Sequence, residues 1–482
     1  MPFNRRRFIV AGSAATAINA LALTGSLGTI PERAEAATLA NPSDIQFDVG
    51  AFIQPAQTWD GITFQMPPVN TVFLTAALRR APDLGGQQVI KRALNKLENA
   101  YPWSAAGLIT FVSYGLPYFQ RLDPTIVAAH MPRLASDQTR WVLEEAVPSP
   151  KDVVAGNGIT KLRYPVPVAI EDNDLVFTIR SDNPAFLHDA VAWLTGSDYL
   201  RGEQLTSPAF DGLLTFTSSR HMFVQQGMPR AIADRDNLPF AQYIQPDSPM
   251  WMGFLDQHTN GAGPPEICTF VGNASARLTT AVAGDYFDNG SIQHLSHNIL
   301  DMLQWFAMSD ANAAPTNDST FDERVQYMFH SPPIARGRND QFLNGGGPSI
   351  LQNENRGPQY AITTAQGIGV NQRRVGHLSS LQRSSRAADG TPIHIRMDGP
   401  GYDDMDVPDG SVQPKLQFTI FVPTAEFFRT MRSNQAAVDL EQLYGMHEED
   451  NGLERHITAT RRQNFLVPPR RHRAFPLVEL TS

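Results

Sequence analysis

A histidine and an arginine stand on either side of a predicted turn within residues 371–402. His377 precedes a segment rich in Arg and Ser, Asp389 and Gly390 form the turn, and a short β-type run then ends at Arg396. A histidine and an arginine held across a tight turn can contact the two faces of one flat ligand. Such residues at loop ends more often satisfy local hydrogen bonds only, so the pattern gains meaning from partners elsewhere in the chain.

The composition is that of an ordinary globular protein. Its 482 residues predict two or three folding units, because a domain averages roughly 150 residues. Hydrophobic residues make up 42% and charged residues 18%, which argues against a disordered or membrane-embedded chain. The net charge of -9, without a Lys-rich or Arg-rich face, argues against nucleic acid as the partner. The single cysteine, Cys268, excludes an intramolecular disulfide, and we expect it to be a small buried hydrophobe.

The N-terminus has the pattern of an export signal. Arginines at positions 5–7 precede a mildly apolar run over residues 11–23, and Ala-Glu-Ala at 34–36 offers a cleavage site. The apolar run is too short and too polar for a membrane span. The paired arginines before Phe8 are typical of the twin-arginine signal, whose pathway exports folded proteins, and a general secretory signal is the alternative. Removal of residues 1–36 would leave an acidic, exported chain with a formal charge of about -11.

Hydrophobic periodicity and turn signals predict an α+β chain. We expect helices over residues 71–80, 87–97, 185–194, 290–306 and 425–432. We expect strands over residues 45–53, 108–114, 174–180, 213–217 and 416–422. The order strand, helix, strand recurs late in the chain, which predicts two copies of one unit, each an antiparallel sheet with helices on one face. Residues 331–369 are rich in Gly, Pro, Asn and Arg and predict a functional or mobile loop.

Short motifs in a fixed order resemble the dye-decolourising (DyP-type) peroxidase superfamily, mainly in the C-terminal half. The run MGFLD at 252–256 resembles the family's Gly-Phe-x-Asp-Gly motif, GHL at 376–378 resembles the segment of its proximal histidine, and IHIR at 393–396 resembles the strand of its distal arginine. Further matches in the same order lie at residues 290–305, 321–324, 418–428 and 464–469. The sequence departs from the family at Gln257, which replaces the motif's second glycine, and after His377, where Asn-Pro-Arg is missing.

The resemblance implies two ferredoxin-like α+β halves and a haem b site with divided roles. His377 would be the proximal ligand of the haem iron, oriented by a carboxylate for which Glu454 is the candidate. Asp256 would move a proton between the two oxygens of hydrogen peroxide. Arg396 would favour the departing oxygen with its permanent charge. Arg383 would meet a haem propionate, a role for which Arg373, Arg374 and Arg386 compete.

Plain structural roles compete with these assignments. His377 reads equally as a hydrogen-bonded residue at a loop end, and Asp256 reads as a turn or cap aspartate. The corresponding role for Arg396 is a surface salt bridge, with partners available at Asp398, Asp403 and Asp404.

Four residues that the resemblance gives no role have candidate roles of their own. His294 and His297 are three apart on a predicted helix, a spacing that can serve a metal, but no acidic general base follows in the metalloprotease pattern. Core or helix-surface histidines are therefore the favoured interpretation. Trp305 and Tyr402, taken as surface residues, are candidates for relaying electrons to bulky donors.

Three functions stay open from the sequence. The first is an exported haem b peroxidase that takes hydrogen peroxide and an organic electron donor. The second is a non-catalytic haem-binding or porphyrin-binding protein, favoured if Gln257 disrupts the distal face. The third is an exported, haem-free α+β binding or structural protein.

The predicted organisation is a signal peptide at 1–36, an N-terminal half at 37–240 and a C-terminal half with the haem site at 241–482. The twin-arginine export machinery would be a further partner. We expect no stable membrane span after cleavage, and the sequence leaves a homo-oligomer open.

Overall fold

The computed structural model describes residues 42–49, 57–59, 62–64, 67–208, 210–246, 248–253, 265–272, 278–306, 394–444 and 453–481. The strands are β1 (Gln57–Trp59), β2 (Ile62–Phe64), β3 (Asn70–Leu78), β4 (Ile109–Gly115), β5 (Ala169–Ile170), β6 (Leu175–Ser181), β7 (Tyr199–Leu200), β8 (Glu203–Gln204), β9 (Leu214–Phe223), β10 (Ser291–Leu300), β11 (Ile395–Arg396), β12 (Gly399–Asp403), β13 (Gln413–Val422) and β14 (Ile457–Val467). The α-helices are α1 (Leu84–Ala100), α2 (Leu116–Gln120), α3 (Pro124–His130), α4 (Pro184–Leu194), α5 (Met228–Arg235), α6 (Met302–Phe306), α7 (Ala425–Ala436) and α8 (Val438–Tyr444).

The first half has ferredoxin-like topology. Its elements follow the order β3, α1, β4, β6, α4, β9, and the strands lie in the sheet order β4-β6-β3-β9. Helix α1 begins after Asp83, whose side chain accepts a 2.7 Å hydrogen bond from the backbone N–H of Gly86. Helix α4 begins with Pro184 after the capping residue Asn183. Both helices pack against the same face of the sheet, in one hydrophobic cluster.

The second half repeats this topology. Strand β10 is followed by α6, the strands β11 and β12, then β13, α7 and β14. The sheet order β11-β13-β10-β14 matches the order of the first half strand for strand. The predicted α+β class with two ferredoxin-like halves is therefore confirmed. The division of the chain at residue 240 stays a prediction.

The two halves share one ten-stranded sheet that curves back on itself. Strand β14 joins β4 through the pairs Phe465↔Gly115 and Leu466↔Tyr114. At the far ends of the sheet, β12 lies against β9, because a Cβ atom added to Gly399 would lie only 2.7 Å from Val224 Cγ2. The architecture is therefore barrel-like.

The barrel is covered by helices outside and filled from both halves inside. The largest hydrophobic cluster packs α1, α4 and α7 against the outer face of the sheet. A smaller cluster inside takes one side chain each from β3, β6, β9, β10 and β14, namely Phe73, Val176, Met222, Leu295 and Phe465. Cys268 is buried in another cluster, as expected for a small hydrophobe. Both faces of the central strands are consequently buried.

Three sequence-based element predictions were wrong. Residues 71–80, predicted as a helix, form β3, in which Leu74 faces the helices and Phe73 faces the barrel interior. The helix predicted over 290–306 is β10 followed by the short helix α6. A strand was expected over 45–53, but its described part, within 42–49, contains turns and bends. Apolar residues on both faces of a strand remove the two-residue alternation and can imitate helical spacing.

Candidate functional site

A cleft lies between α7 and the outer face of the sheet in the second half. Its cavity volume is about 70 Å³, and the space in and around it, open solvent included, is about 620 Å³. The described residues that line it are Ser296, Asn298, His394, Arg396, Asp398, Leu416, Phe418, Met431, Arg432, Gln435, Leu453, Ile457 and Arg462. Strands β10, β11, β13 and β14 therefore supply one wall and α7 the other.

Strand β11 delivers a histidine and an arginine to the cleft. Arg396 pairs with Ile420 of β13, a residue of the outer, helix-covered face, so Arg396 faces the same way. His394 is two residues earlier along the extended chain and also lines the cleft. The alternation Ile-His-Ile-Arg thus sends both polar side chains to one wall, while Ile395 packs inward with Phe421.

Helix α7 forms the opposite wall. It begins after Thr424, whose hydroxyl accepts a 3.1 Å hydrogen bond from the backbone N–H of Phe427. Phe428 and Met431 bury themselves against the sheet, and Arg432, one residue further along, reaches the cleft. The apolar spacing of α7 therefore fixes the position of this arginine.

Two buried arginines of the cleft are held by carboxylates. Arg462 makes two hydrogen bonds to Asp152, Nε to Oδ2 at 2.7 Å and Nη2 to Oδ1 at 2.9 Å. Burial alone would raise the pKa of Asp152, but the adjacent Arg462 lowers it to about 2. Arg432 lies 3.3 Å from Glu454. Burial lowers the pKa of its guanidinium, although the Glu454 carboxylate acts to raise it. Both cations are thus anchored in the cleft wall.

The lining combines apolar walls with cationic groups. Leu416, Phe418, Met431, Leu453 and Ile457 supply hydrocarbon surface. The Nε atom of Arg432 is buried and has no hydrogen-bond partner among the described residues. A flat apolar ligand with an anionic edge would satisfy both features, and haem, with its macrocycle and two propionates, has that character. The residues present therefore fit haem, with His394 offering an imidazole in the same cleft.

The structure describes one of the four predicted site residues. Arg396 lies in the cleft, and its predicted neighbour Asp403 instead contacts Lys415 and His297, each at 3.3 Å. Asp256, His377 and Arg383 lie outside the described residues. The loop predicted over residues 331–369 and the departure at Gln257 also lie outside them, so these predictions stay open.

Several secondary predictions need correction. His294 and His297 lie on strand β10, with His294 on the helix-covered face and His297 inside the barrel. They therefore do not share a helical face. Trp305 is fully buried and Tyr402 is only 8% exposed, so neither is the surface residue that the sequence suggested. Glu454 is held by Arg432, and its predicted contact with His377 stays untested.

Sequence reasoning missed three residues of the cleft as functional candidates. His394 was quoted only as part of a motif, although its spacing of two from Arg396 in a β-type run places both on one face. Arg432 lies on a predicted helix, and Arg462 lies on β14, a strand that the sequence pattern did not predict. No sequence signal links Arg462 to its carboxylate, because Asp152 lies 310 residues away.

The described part of the chain offers neither a metal-binding cluster nor a membrane-spanning helix. No group of three or more His, Cys, Asp or Glu side chains there is arranged to hold a metal ion. None of the helices described is long and apolar enough to cross a membrane.

A family model described as a family of unknown function (DUF7405) matches residues 68–469. No curated protein matches the chain.

The chain is similar to several solved structures. One is a dye-decolourising peroxidase from Bacteroides thetaiotaomicron, with 16% identity, 83% of this chain and 93% of that chain covered, and a TM-score of 0.43. A variant of the Rhodococcus jostii RHA1 protein DypB in complex with heme is 13% identical, with 84% of this chain and 94% of that chain covered and a TM-score of 0.46. A DyP-type peroxidase from Cellulomonas bogoriensis is 12% identical, with 84% of this chain and 90% of that chain covered and a TM-score of 0.43. All three belong to the class that the sequence motifs resemble, but likeness at this level assigns no residue and no activity to this chain.

Proposed function

We propose that this chain, which belongs to the family of unknown function DUF7405, is an exported haem-dependent peroxidase that reduces hydrogen peroxide and oxidises an organic donor. The observation that carries the proposal is the joint position of His394 and Arg396 on one wall of an apolar cleft. The motifs that resemble the DyP-type superfamily point to the same activity.

The cleft suits haem b because it pairs apolar walls with cationic groups. Bound haem would supply an iron centre that reacts with peroxide. Arg432 is the described side chain best placed to hold a propionate, since its buried Nε lacks a partner among the described residues. Arg383 is the second candidate, from the sequence alone.

The side chains on the two faces of a flat ligand must come from different walls. His394 and Arg396 share one wall, and His377, proposed from the sequence motif, would hold the iron of bound haem. Arg396 keeps its charge at every relevant pH and would stabilise the oxygen that departs from peroxide. Asp256 would carry the proton between the peroxide oxygens, and His394, beside Arg396, is a second candidate for that task.

Export rests on the N-terminal sequence alone. Arginines 5–7, the apolar run and the small residues at 34–36 support a twin-arginine signal, which fits a protein that acquires its cofactor before leaving the cell. A periplasmic or extracellular location follows from this proposal.

The visible absorption spectrum of the protein, purified after expression with haem available, is the first test. We expect a Soret band that shifts when hydrogen peroxide is added, and peroxide-dependent oxidation of a dye. A protein that stays colourless and takes up no added haemin would contradict the proposal. A Soret band without any turnover would support the non-catalytic haem-binding alternative.

Variants assign the roles within the site. Arg396→Leu should keep the Soret band and slow the reaction with peroxide by roughly 100-fold or more, since it removes a charge that acts on the departing oxygen. Arg429→Leu, an exposed arginine on α7, is the matched control and should behave as the unaltered protein. Loss of haem retention in His377→Ala, but not in His394→Ala, would support His377 as the ligand.

A further inference from the structure

A serine, a histidine and an asparagine form a hydrogen-bonded row at the cleft wall. Ser296 Oγ lies 2.6 Å from Nε2 of His294, and Nδ1 of His294 lies 2.7 Å from Oδ1 of Asn464. His294 and Ser296 are two apart on β10 and so share a face, and Asn464 pairs with His294 in the neighbouring strand β14. Ser296 lines the cleft.

The hydrogen bonds around Asn464 fix which nitrogen of His294 carries the proton. Asn464 Nδ2 donates to the carbonyl of Glu144 at 2.9 Å, so its Oδ1 faces His294 as an acceptor. Nδ1 of His294 must therefore carry the hydrogen, and Nε2 is left with its lone pair toward Ser296. Phe428 of α7 stacks on the imidazole with ring centroids 3.3 Å apart, which holds the ring in place.

Arg462 fixes the direction of the serine hydroxyl. Its Nη1 donates to Ser296 Oγ at 2.9 Å, and a guanidinium has no acceptor. The hydroxyl hydrogen must therefore point to Nε2 of His294. A serine that donates to a neutral imidazole, which a third group orients, is the arrangement that activates a nucleophile.

We propose that Ser296, His294 and Asn464 form a second active site in this cleft, which cleaves carboxylic esters that carry an anionic group. Ser296 is the nucleophile, His294 is the general base and Asn464 is the positioning residue. Asn in the orienting role is a known variant of such triads. The inference goes beyond the proposed peroxidase, because no step in it requires haem.

The reaction balances with water as the second reactant. Ser296 Oγ attacks the ester carbonyl carbon while its proton passes to Nε2 of His294. The bond to the alcohol breaks as His294 returns that proton to the departing oxygen. Water, deprotonated by His294, then hydrolyses the acyl-serine, releases the acid and restores the hydroxyl of Ser296.

The charges around the row suit this chemistry. Arg462 lies beside the atom that forms the new bond and can stabilise the oxygen that becomes negative. Arg462 and Arg432 disfavour the protonated form of His294, and Asp152, which is paired with Arg462, offsets this only in part. Arg396 and Arg432 line the same cleft as Ser296, and Asp398 is the one carboxylate among the described lining residues. This excess of cations favours a substrate with a carboxylate or phosphate at a distance from its ester bond.

The pH profile provides a readout that a merely structural row would not give. Burial lowers the pKa of His294 well below its usual 6.5, so the imidazole stays a neutral base in mildly acidic solution. Ester cleavage should hardly change between about pH 7.5 and 5.5, whereas a base with an ordinary histidine pKa would lose about tenfold.

The experiment uses the full chain with two fluorogenic probes, the 4-methylumbelliferyl hemiglutarate and the neutral 4-methylumbelliferyl butyrate. We expect hydrolysis of both, with the anionic ester preferred, and a fall of about 100-fold or more in Ser296→Ala. Ser433→Ala, an exposed serine on α7 away from His294, is the control. Treatment of the unaltered protein with a fluorophosphonate, followed by peptide mass spectrometry, should place the adduct on Ser296.

The labelling does not depend on any variant folding. An adduct on another residue only, or a rate in folded Ser296→Ala equal to that of the unaltered protein, would overturn the proposal. Haem and the ester would occupy the same cleft, so ester cleavage and labelling are measured on haem-free protein and the Soret band on haem-loaded protein. The peroxidase and the esterase can then fail independently.

Discussion

Arg462 and Asp152 are joined by two hydrogen bonds of 2.7 and 2.9 Å although 310 residues separate them. Both side chains are almost fully buried, at 1% and 3% exposure. The pair fastens the loop that precedes β5 to strand β14 and holds the guanidinium beside Ser296. One ion pair thus supports the tertiary structure and the cleft together.

Arg462→Leu should therefore destabilise the protein strongly. The change leaves the Asp152 carboxylate buried without its partner, and breaking a buried pair in this way costs about 3–5 kcal/mol. The free energy of unfolding from urea titration measures this. Arg80→Leu is the control, because Arg80 pairs with Asp83 at the surface and such pairs contribute about 0–1 kcal/mol. Similar losses in both variants would contradict the prediction.

The buried histidine His221 should make the fold sensitive to acid. Its Nε2 lies 3.1 Å from Asn70 Oδ1, and burial lowers its pKa from the usual 6.5 to about 3. Between those values the unfolded chain binds a proton that the folded protein does not, so this contribution to stability is complete above about pH 6.5 and declines as the pH falls toward 3.

The prediction for this group is a loss of about 2 kcal/mol between pH 7.5 and 5.0. His221→Gln should remove that part of the pH dependence and leave the dependence due to other groups. Urea titrations of both proteins at the two pH values measure it, with the exposed His188→Gln as control. If the free energy of unfolding of His221→Gln fell between pH 7.5 and 5.0 by as much as that of the unaltered protein, His221 would not be the group responsible.

Closure of the barrel should depend on Gly399. A methyl group there would lie 2.7 Å from Val224 Cγ2 and 2.9 Å from Met222 Cγ, so β12 would have to move away from β9. Gly399→Ala should cost about 1–3 kcal/mol, as for overpacking elsewhere. Gly212→Ala, where nothing lies within 4 Å, is the matched control. Equal melting temperatures for the two variants would argue against contact between β12 and β9.

The start of α7 should depend on the cap at Thr424. Thr424→Val removes the acceptor for the backbone N–H of Phe427 while keeping the side-chain volume, which should cost about 1 kcal/mol. Thr430→Val, exposed on the same helix, controls for the substitution itself. Thermal unfolding compares the two. A larger loss in the control would show that the cap does not anchor the wall of the cleft.

The elements that the sequence predicted correctly include helices with a clear start signal and the strands β4 and β6, short apolar runs that are buried along their whole length. Helices α1 and α4 have an apolar stripe and a capping residue, and β13 followed by α7 was recognised from the turn between them. Strands β3 and β10 were predicted as helices because barrel closure buries both of their faces. That closure joins β12 to β9 and β14 to β4, and no local pattern reveals it.

The cleft was predictable only in part. The motif around Arg396 identified one wall, and the period of two residues in the same run could have identified His394. The other wall needed the position of α7, and the Ser296, His294 and Asn464 row needed the register of β10 against β14. Two residues on different strands become neighbours through long-range pairing, which periodicity within one segment does not contain.

Strand β14 is synthesised after every other described strand of the shared sheet. The first half can assemble its four strands as soon as β9 has emerged, but the edge of β4 then faces solvent until β14 arrives several hundred residues later. An unpaired edge of this kind readily takes up a strand from another chain. Nascent molecules on one messenger are therefore prone to cross-pair at β4, and a holdase that covers this edge should raise the yield of correctly joined halves.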